Sequence, residues 1–302
     1  MNQETYHIPA LLSQSIEALD IKPSGVYIDA TFGGGGHSKA IVDCLNDKGH
    51  LYSFDQDEDA VSRAFIDPRF TMVYGNFRFL SNFLRYYEVS EVDGILADLG
   101  VSFHHFDDSS RGFSFRTGGR LDMRMNRHAR VDAASILSDY TEEQLADIFY
   151  LYGELRQARK LAAAIVAARR SEPVDTVERL LEVCRPLISQ QKEKKDMACI
   201  FQALRIEVNG ELDALKSFLK QAVAVLRPGG RLAILTYHSL EDRLVKNFMK
   251  TGNFSGKAEK DFFGRVETPL RTVYSKPIVP DEEEIARNPR SRSAKLRVAE
   301  KI

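Results

Sequence analysis

Val26-Tyr27-Ile28-Asp29-Ala30-Thr31-Phe32-Gly33-Gly34-Gly35-Gly36-His37-Ser38 sets an apolar run against four consecutive glycines. Residues 26–30 read as a strand, and 38–45 as a helix, because apolar side chains there recur at three- and four-residue intervals. A glycine-rich turn from strand to helix is where a doubly wound sheet takes nucleotide-like ligands. Glycine serves there because a ligand lying against the backbone leaves no space for a β-carbon. A flexible surface turn has the same composition, so the neighbouring strands must be read with it.

Outward from this turn, residues 50–54, 70–74 and 94–97 read as further strands, with helices over 59–65 and 80–87. Such alternation predicts a parallel sheet covered by helices. The next strand, 232–236, follows an amphipathic helix over 211–226 and the turn Arg227-Pro228-Gly229-Gly230. About 130 residues separate it from the fourth strand, far more than one crossover needs. Within that excess, 142–152, 155–170, 174–184 and 197–208 all have helical period. The expected architecture is therefore α/β, a doubly wound and mostly parallel sheet formed by residues 1–105 and 209–302, interrupted by an all-helical domain over 106–208. A helix over 240–249 follows the fifth strand, and short strands at 270–275 and 295–299 suit an antiparallel hairpin closing the sheet edge.

At 302 residues, 43% hydrophobic and 28% charged, the chain has the balance of a globular protein with a sizeable core. Cys44, Cys184 and Cys199 show no CxxC spacing, so neither a zinc site nor a disulfide framework is expected, and no metal is. The first twenty residues lack the basic and apolar regions of an export signal, and no uncharged apolar run is long enough to span a bilayer. A cytoplasmic protein without membrane insertion is expected. Net charge is only −1, but basic residues cluster at 111–130, at 156–170 and in the tail 287–297, where the acidic run 281–284 offsets them.

The other strand ends converge on the glycine turn. Asp55 ends the second strand about 20 residues beyond the glycines, where a carboxylate can accept hydrogen bonds from both hydroxyls of a ribose. Phe77 follows the third strand, where an aromatic ring can lie against a purine. A dinucleotide fingerprint needs a third glycine at Ser38, and a phosphate loop needs a G-K-[ST] that is absent. A nucleoside without a pyrophosphate remains, and S-adenosylmethionine is the commonest such ligand on this architecture. Asp98 at the end of the fourth strand and His238 at the end of the fifth are the polar groups expected to face the reacting centre.

Six segments carry a family resemblance: YIDATFGGGGHS from Tyr27, SFDQD from Ser53, DGILADLGVS from Asp93, RGFSFRTGGRLDMRM from Arg111, TYHSLEDRLVK from Thr236 and NPRSRSAKLR from Asn288. Together they resemble the MraW-type methyltransferases, a bacterial family acting on N4 of a cytidine in the decoding region of small-subunit rRNA. The resemblance implies a Rossmann-like, S-adenosylmethionine-dependent methyltransferase fold, with cofactor contacts from Gly35, Gly36, His37, Asp55, Phe77, Asp98 and His105. In the segment that reads Phe103-His104-His105 the family more often has Ser-Pro-Gln. Many amino methyltransferases carry an Asp/Asn-Pro-Pro-aromatic motif where Leu99-Gly100 stands here, which leaves the proton acceptor open, with Asp98 as its first assignment.

The implied partner is small-subunit rRNA, within an assembled or nearly assembled subunit. The alternating Arg, Phe and Gly from Arg111 suit phosphate pairing and base stacking around an extruded nucleotide, making Arg111, Phe113, Phe115, Arg116, Arg120 and Arg124 the RNA-side candidates. A structural collar is the alternative for that block. Two other functions stay open: the same cofactor with a small-molecule or protein acceptor, and a noncatalytic RNA-binding or assembly factor.

Overall fold

The computed structural model describes residues 9–101, 106, 108–258 and 268–302. In chain order its helices and strands are α1 Leu12–Leu19, β1 Val26–Asp29, α2 Gly36–Asp43, β2 His50–Asp55, α3 Glu58–Val61, β3 Phe70–Tyr74, α4 Leu80–Tyr86 and β4 Val92–Asp98. Then come α5 Ala133–Asp139, α6 Glu142–Leu151, α7 Ala158–Ala168, α8 Val177–Cys184, α9 Glu193–Asn209, α10 Glu211–Val225, β5 Leu226–Thr236, α11 Ser239–Thr251, β6 Leu270–Thr272, α12 Glu282–Arg287 and β7 Lys295–Lys301. Contacts divide the chain into two compact units, Met1–Gly100 with Leu212–Ile302, and Val101–Glu211.

The first unit is one seven-stranded sheet in the order β3-β2-β1-β4-β5-β7-β6. β1 pairs in parallel with both β2 and β4, β2 with β3, and β4 with β5. β7 lies antiparallel between β5 and β6. The chain thus winds outward from β1 through β2 and β3, then returns to the other side of β1 for β4 and β5. That reversal opens a crevice at the carboxyl ends of β1 and β4.

Strand alternation supplies two apolar faces. Ile28, Phe54, Ile95 and Ile234 point to one, covered by Leu80 and Leu84 of α4, Phe218 and Leu219 of α10, and Phe248 of α11. Leu51, Leu96, Ala233 and Leu235 point to the other, covered by Ala18 and Leu19 of α1 and by Ile41 and Val42 of α2. The helical unit has its own core, built on Leu137, Phe149, Leu161, Leu180, Ile200 and Leu204. A capping box of Thr141 and Gln144 starts α6 there, satisfying backbone N–H groups that the helix itself cannot.

The structure differs from the sequence expectation at β5, which begins at Leu226 rather than after the Pro-Gly-Gly turn. Its register against β4 jumps from Val92↔Leu226 to Gly94↔Arg231, so Arg227–Gly230 is looped out of the ladder. Pro228 has no N–H to continue the pairing, and Gly229 takes φ 78°, so the turn chemistry survives as a bulge inside the strand. Helices α1, α5 and α12 add to those expected; α5 and α12 start at the side-chain caps Asp132 and Asp281. No helix among the described residues is long and apolar enough to cross a membrane.

Truncating Phe149, fully buried in the helical unit, is expected to cost about 3–5 kcal/mol of that unit's stability. Hydrogen exchange of Phe149→Ala should rise first over 133–209 while β1, β4 and β5 stay protected; uniform loss of protection across both units would contradict two separate cores.

Candidate active site

The turn after β1 is shaped by its own backbone. Gly33 and Gly35 have φ of 52° and 78°, a region that disfavours any residue with a β-carbon. A β-carbon on Gly35 would lie 2.8 Å from the Phe32 ring, and one on Gly36 would overlap Pro9, whereas one on Gly33 would meet nothing within 4 Å. The open side of the turn is therefore at Gly33, and protein packing explains why Gly35 and Gly36 must be small.

Three hydrogen-bonded ties bring the strand ends together. The Gly33 N–H donates to Asp55 Oδ2 at 2.9 Å, and Asp57 N–H donates to Asp55 Oδ1 at 2.9 Å, linking the β1 turn to the end of β2. Asp98 N–H donates to Thr31 Oγ1 at 2.6 Å, linking the same turn to the end of β4. Asn76 caps the short 3-10 turn Phe77–Phe79 and donates its side-chain amide to Gln56 Oε1 at 2.7 Å, which brings in the end of β3. Phe77 itself is half-buried, edge-on to Phe218 with ring centroids 5.1 Å apart.

Beneath the turn lies buried Asp29, a residue the sequence reading passed over. It accepts the Thr31 N–H at 3.0 Å and the Ser38 hydroxyl at 2.6 Å, and that hydroxyl lies 2.8 Å from Ser53 Oγ on β2. Burial pushes the Asp29 carboxyl up to about 6, against the pull of His37 and Ser38. Burial also holds the His37 imidazole below its ordinary range, with Asp29 opposing.

Asp98, about one-fifth exposed, has Oδ2 3.6 Å from His37 Nδ1. Its Oδ1 accepts the Tyr237 hydroxyl at 2.7 Å. Burial pushes the Asp98 carboxyl up to about 7, although the Tyr237 hydrogen bond pulls it down. The Tyr237 phenol is in turn driven well above its usual range, first by burial and then by the Asp98 charge. The result near neutral pH is a neutral imidazole, a neutral phenol and a carboxyl balanced between its two forms, the condition that suits a group exchanging a proton at working pH.

His238 is the N-cap of α11, its Nδ1 3.5 Å from the Glu241 N–H and its Nε2 3.1 Å from the Glu241 carboxylate. Glu241 also accepts the Tyr237 N–H at 3.1 Å. The link from the end of β4 to the end of β5 therefore runs from Asp98 through Tyr237, and His238 is engaged by its own helix. Tyr237 was legible only as the residue after a strand; nothing in the sequence aimed its hydroxyl at Asp98.

The family model described as the MraW methylase family matches residues 4–302. The chain belongs to this family. It is 60% identical over 299 residues to a protein of Bacteroides fragilis strain YCH46, covering 99% of this chain and 98% of that one. A Phocaeicola vulgatus protein is 61% identical over 299 residues, again covering 99% and 98%. A Porphyromonas gingivalis protein is 54% identical over 305 residues, with the same coverage. All three are named ribosomal RNA small subunit methyltransferase H. This MraW methylase is accordingly a methyltransferase whose cofactor is S-adenosylmethionine. The turn geometry fits that cofactor: unhindered space at Gly33 beside a carboxylate whose oxygens can each accept more than one hydrogen bond.

The remaining candidates of the methylase divide by burial. His105 lies outside the described residues. In the helical unit Arg111 is buried, its guanidinium donating to the Arg124 carbonyl at 2.9 Å and the Met125 carbonyl at 3.3 Å. Phe113 is buried in that unit's core, and Arg124 is clasped by Asp122 through two hydrogen bonds of 2.9 and 2.6 Å. Arg111 and Phe113 are thus buried within the unit, whereas the Arg124 side chain stays about a quarter exposed. Phe115 packs against Phe201, with the exposed Arg116 5.9 Å over its ring, and Arg120 pairs with Asp132 while staying largely exposed.

Asp98 carries a testable stability consequence. Its folded pKa lies above its unfolded value, so ionising it opposes folding: the penalty grows as pH rises from about 4 to about 7 and is full above that. Asp98→Asn keeps an acceptor for Tyr237 and removes the charge. It is expected to raise Tm at pH 8 by a few degrees, about 1–2 kcal/mol, with little effect at pH 4; a lower Tm at pH 8 would contradict the burial argument.

Proposed function

We propose that this methylase transfers a methyl group from S-adenosylmethionine to the exocyclic N4 amine of a cytidine in small-subunit rRNA, within an assembled or nearly assembled subunit in the cytoplasm. The observation that carries the reading is the tie of one turn, residues 30–36, to both Asp55 and Asp98. In this reading Asp55 meets the ribose and Asp98 the reacting centre, each tied to the same turn. The names of the relatives support the RNA class.

When bound, the cofactor supplies an electrophilic methyl on its sulfonium. In this reading Asp55 accepts the ribose hydroxyls, the α2 end of the turn with Gly35, Gly36 and His37 flanks the cofactor, and Phe77 borders the adenine. The amine lone pair of cytosine is conjugated with the ring, so attack needs an acceptor on its N–H to localise the pair. Asp98 is that acceptor, and it takes the proton that the amine loses as the N–CH₃ bond forms and the S–CH₃ bond breaks. In-line orientation supplies much of the remaining rate. His238 serves this site by capping α11 and holding Glu241 against the Tyr237 backbone. The helical unit, Val101–Glu211, is assigned RNA recognition, with Phe115, Arg116 and Arg120 as its accessible contacts and Arg111, Phe113 and Arg124 as the residues that shape them.

Asp55→Ala removes two charge-assisted acceptors and is expected to weaken S-adenosylmethionine binding about 10–100-fold by calorimetry; unchanged affinity would remove Asp55 from the ribose site. Tritiated-methyl transfer onto small subunits from a strain lacking the protein, followed by nucleoside digestion, should yield N4-methylcytidine. Label in any other nucleoside, or none in RNA, would overturn the acceptor. The rate of transfer should rise through about pH 7 as Asp98 ionises, and this step should vanish in Asp98→Asn.

A further inference from the structure

A second basic site lies in the sheet unit, away from the cofactor turn. A shallow, solvent-open cleft is lined by Lys246, Met249 and Lys250 of α11, Thr272 of β6, and Tyr274 and Lys276 beyond it, with no acidic residue in its lining. Lys246 and Lys250 are one helical turn apart, a spacing at which like charges repel. Neither they nor Lys276 forms an ion pair among the described residues. Behind them, Lys295 and Arg297 share the single carboxylate of Asp242, at 3.2 and 2.6 Å. The Asp242 carboxylate thus stands among five cations, a local excess of positive charge that attracts an anion.

The register says where this cleft faces. Thr272 pairs with Ala299, and Ala299 with Leu232, so β6 runs in the direction of β5. Beyond Thr272 the chain follows β7, with Val273 N–H donating to the Val298 carbonyl and Ile278 bridging Leu296. Tyr274 and Lys276 therefore extend from β6 toward the end of the sheet that holds Asp98 and Tyr237, whereas Lys246 and Lys250 lie about two and three turns along α11 from that end. Three strand spacings separate β4 from β6, which is about 14 Å. Tyr274 is 42% exposed beside these lysines, a ring available for stacking.

We propose that this cleft holds the sugar-phosphate backbone of the RNA strand flanking the methylated nucleotide, the lysines pairing with phosphates and Tyr274 stacking on a base. The proposal rests on the rRNA reading above and adds a contact on the sheet unit to the one assigned to the helical unit. Unpaired lysines interleaved with an exposed aromatic are the chemistry that single-stranded nucleic acid selects.

The test is the full chain carrying K246E/K250E/K276E, all at exposed positions. Its Tm and S-adenosylmethionine affinity are expected to match wild type. Fluorescence anisotropy with a labelled small-subunit rRNA fragment should show binding at least tenfold weaker. The slope of log K against log salt should shrink by about 2, because each phosphate contact on a single strand contributes about 0.7. Tyr274→Leu should weaken binding with the slope unchanged, since stacking releases no counterions. If wild type methylates small-subunit rRNA and the triple variant binds with the same affinity and slope, the cleft assignment is overturned and the substrate reading stands. If wild type neither binds nor methylates that RNA, both are overturned.

Discussion

The active end of the sheet depends on one short hydrogen bond, from the Asp98 backbone N–H to the Thr31 hydroxyl. Backbone bonds run just past the strands, from the Ala30 N–H to the Leu96 carbonyl, the Phe32 N–H to the Phe54 carbonyl and the Leu99 N–H to the Leu235 carbonyl. Thr31 adds a side-chain tie between the β1 turn and the end of β4, where the winding reverses. The Gly33 N–H extends the closure to β2 through Asp55. Each bond joins residues far apart in sequence, so the site exists only once the sheet has formed, and its geometry is as rigid as the sheet.

Burial then gives these groups their chemistry. Asp29, His37, Asp98 and Tyr237 lie in one contiguous polar seam under the turn, where low polarity disfavours every charged form. The seam holds its hydrogen bonds with mostly neutral partners and leaves Asp98 as the carboxyl closest to the balance point. Such an arrangement stores instability at the place of function, as acid–base sites commonly do. The chain offsets it with two apolar sheet faces and a third core in the helical unit.

Much of this was legible in the sequence because period and punctuation are local signals. The alternation of 26–97, the glycine turn and the long gap before 232 marked a doubly wound sheet with an excursion, and Asp55 and Asp98 stood at strand ends by counting alone. What was not legible depended on long-range packing. The hydroxyl of Tyr237 meets Asp98 across 139 positions, and no spacing rule predicts that. Arg111 and Arg124 are RNA-side candidates from composition; that their guanidinium groups also hold backbone carbonyls of their own loop depends on long-range geometry, because Arg offers five donors that an irregular segment can use internally. The Pro-Gly-Gly segment read as a turn because looped-out strand residues use the same residue types as turns.

The place of β7 in the sheet also constrains how the molecule is made. Last of the seven strands in sequence, β7 lies inside the sheet and, among the described residues, carries the only ladder that β6 has. During vectorial synthesis β5 therefore waits as an open edge, and β6 waits with no neighbour, until residues 295–301 leave the ribosome. From the synthesis of β5 to that of β7 the growing chain therefore carries an adhesive flank, and β7 is the strand that covers it.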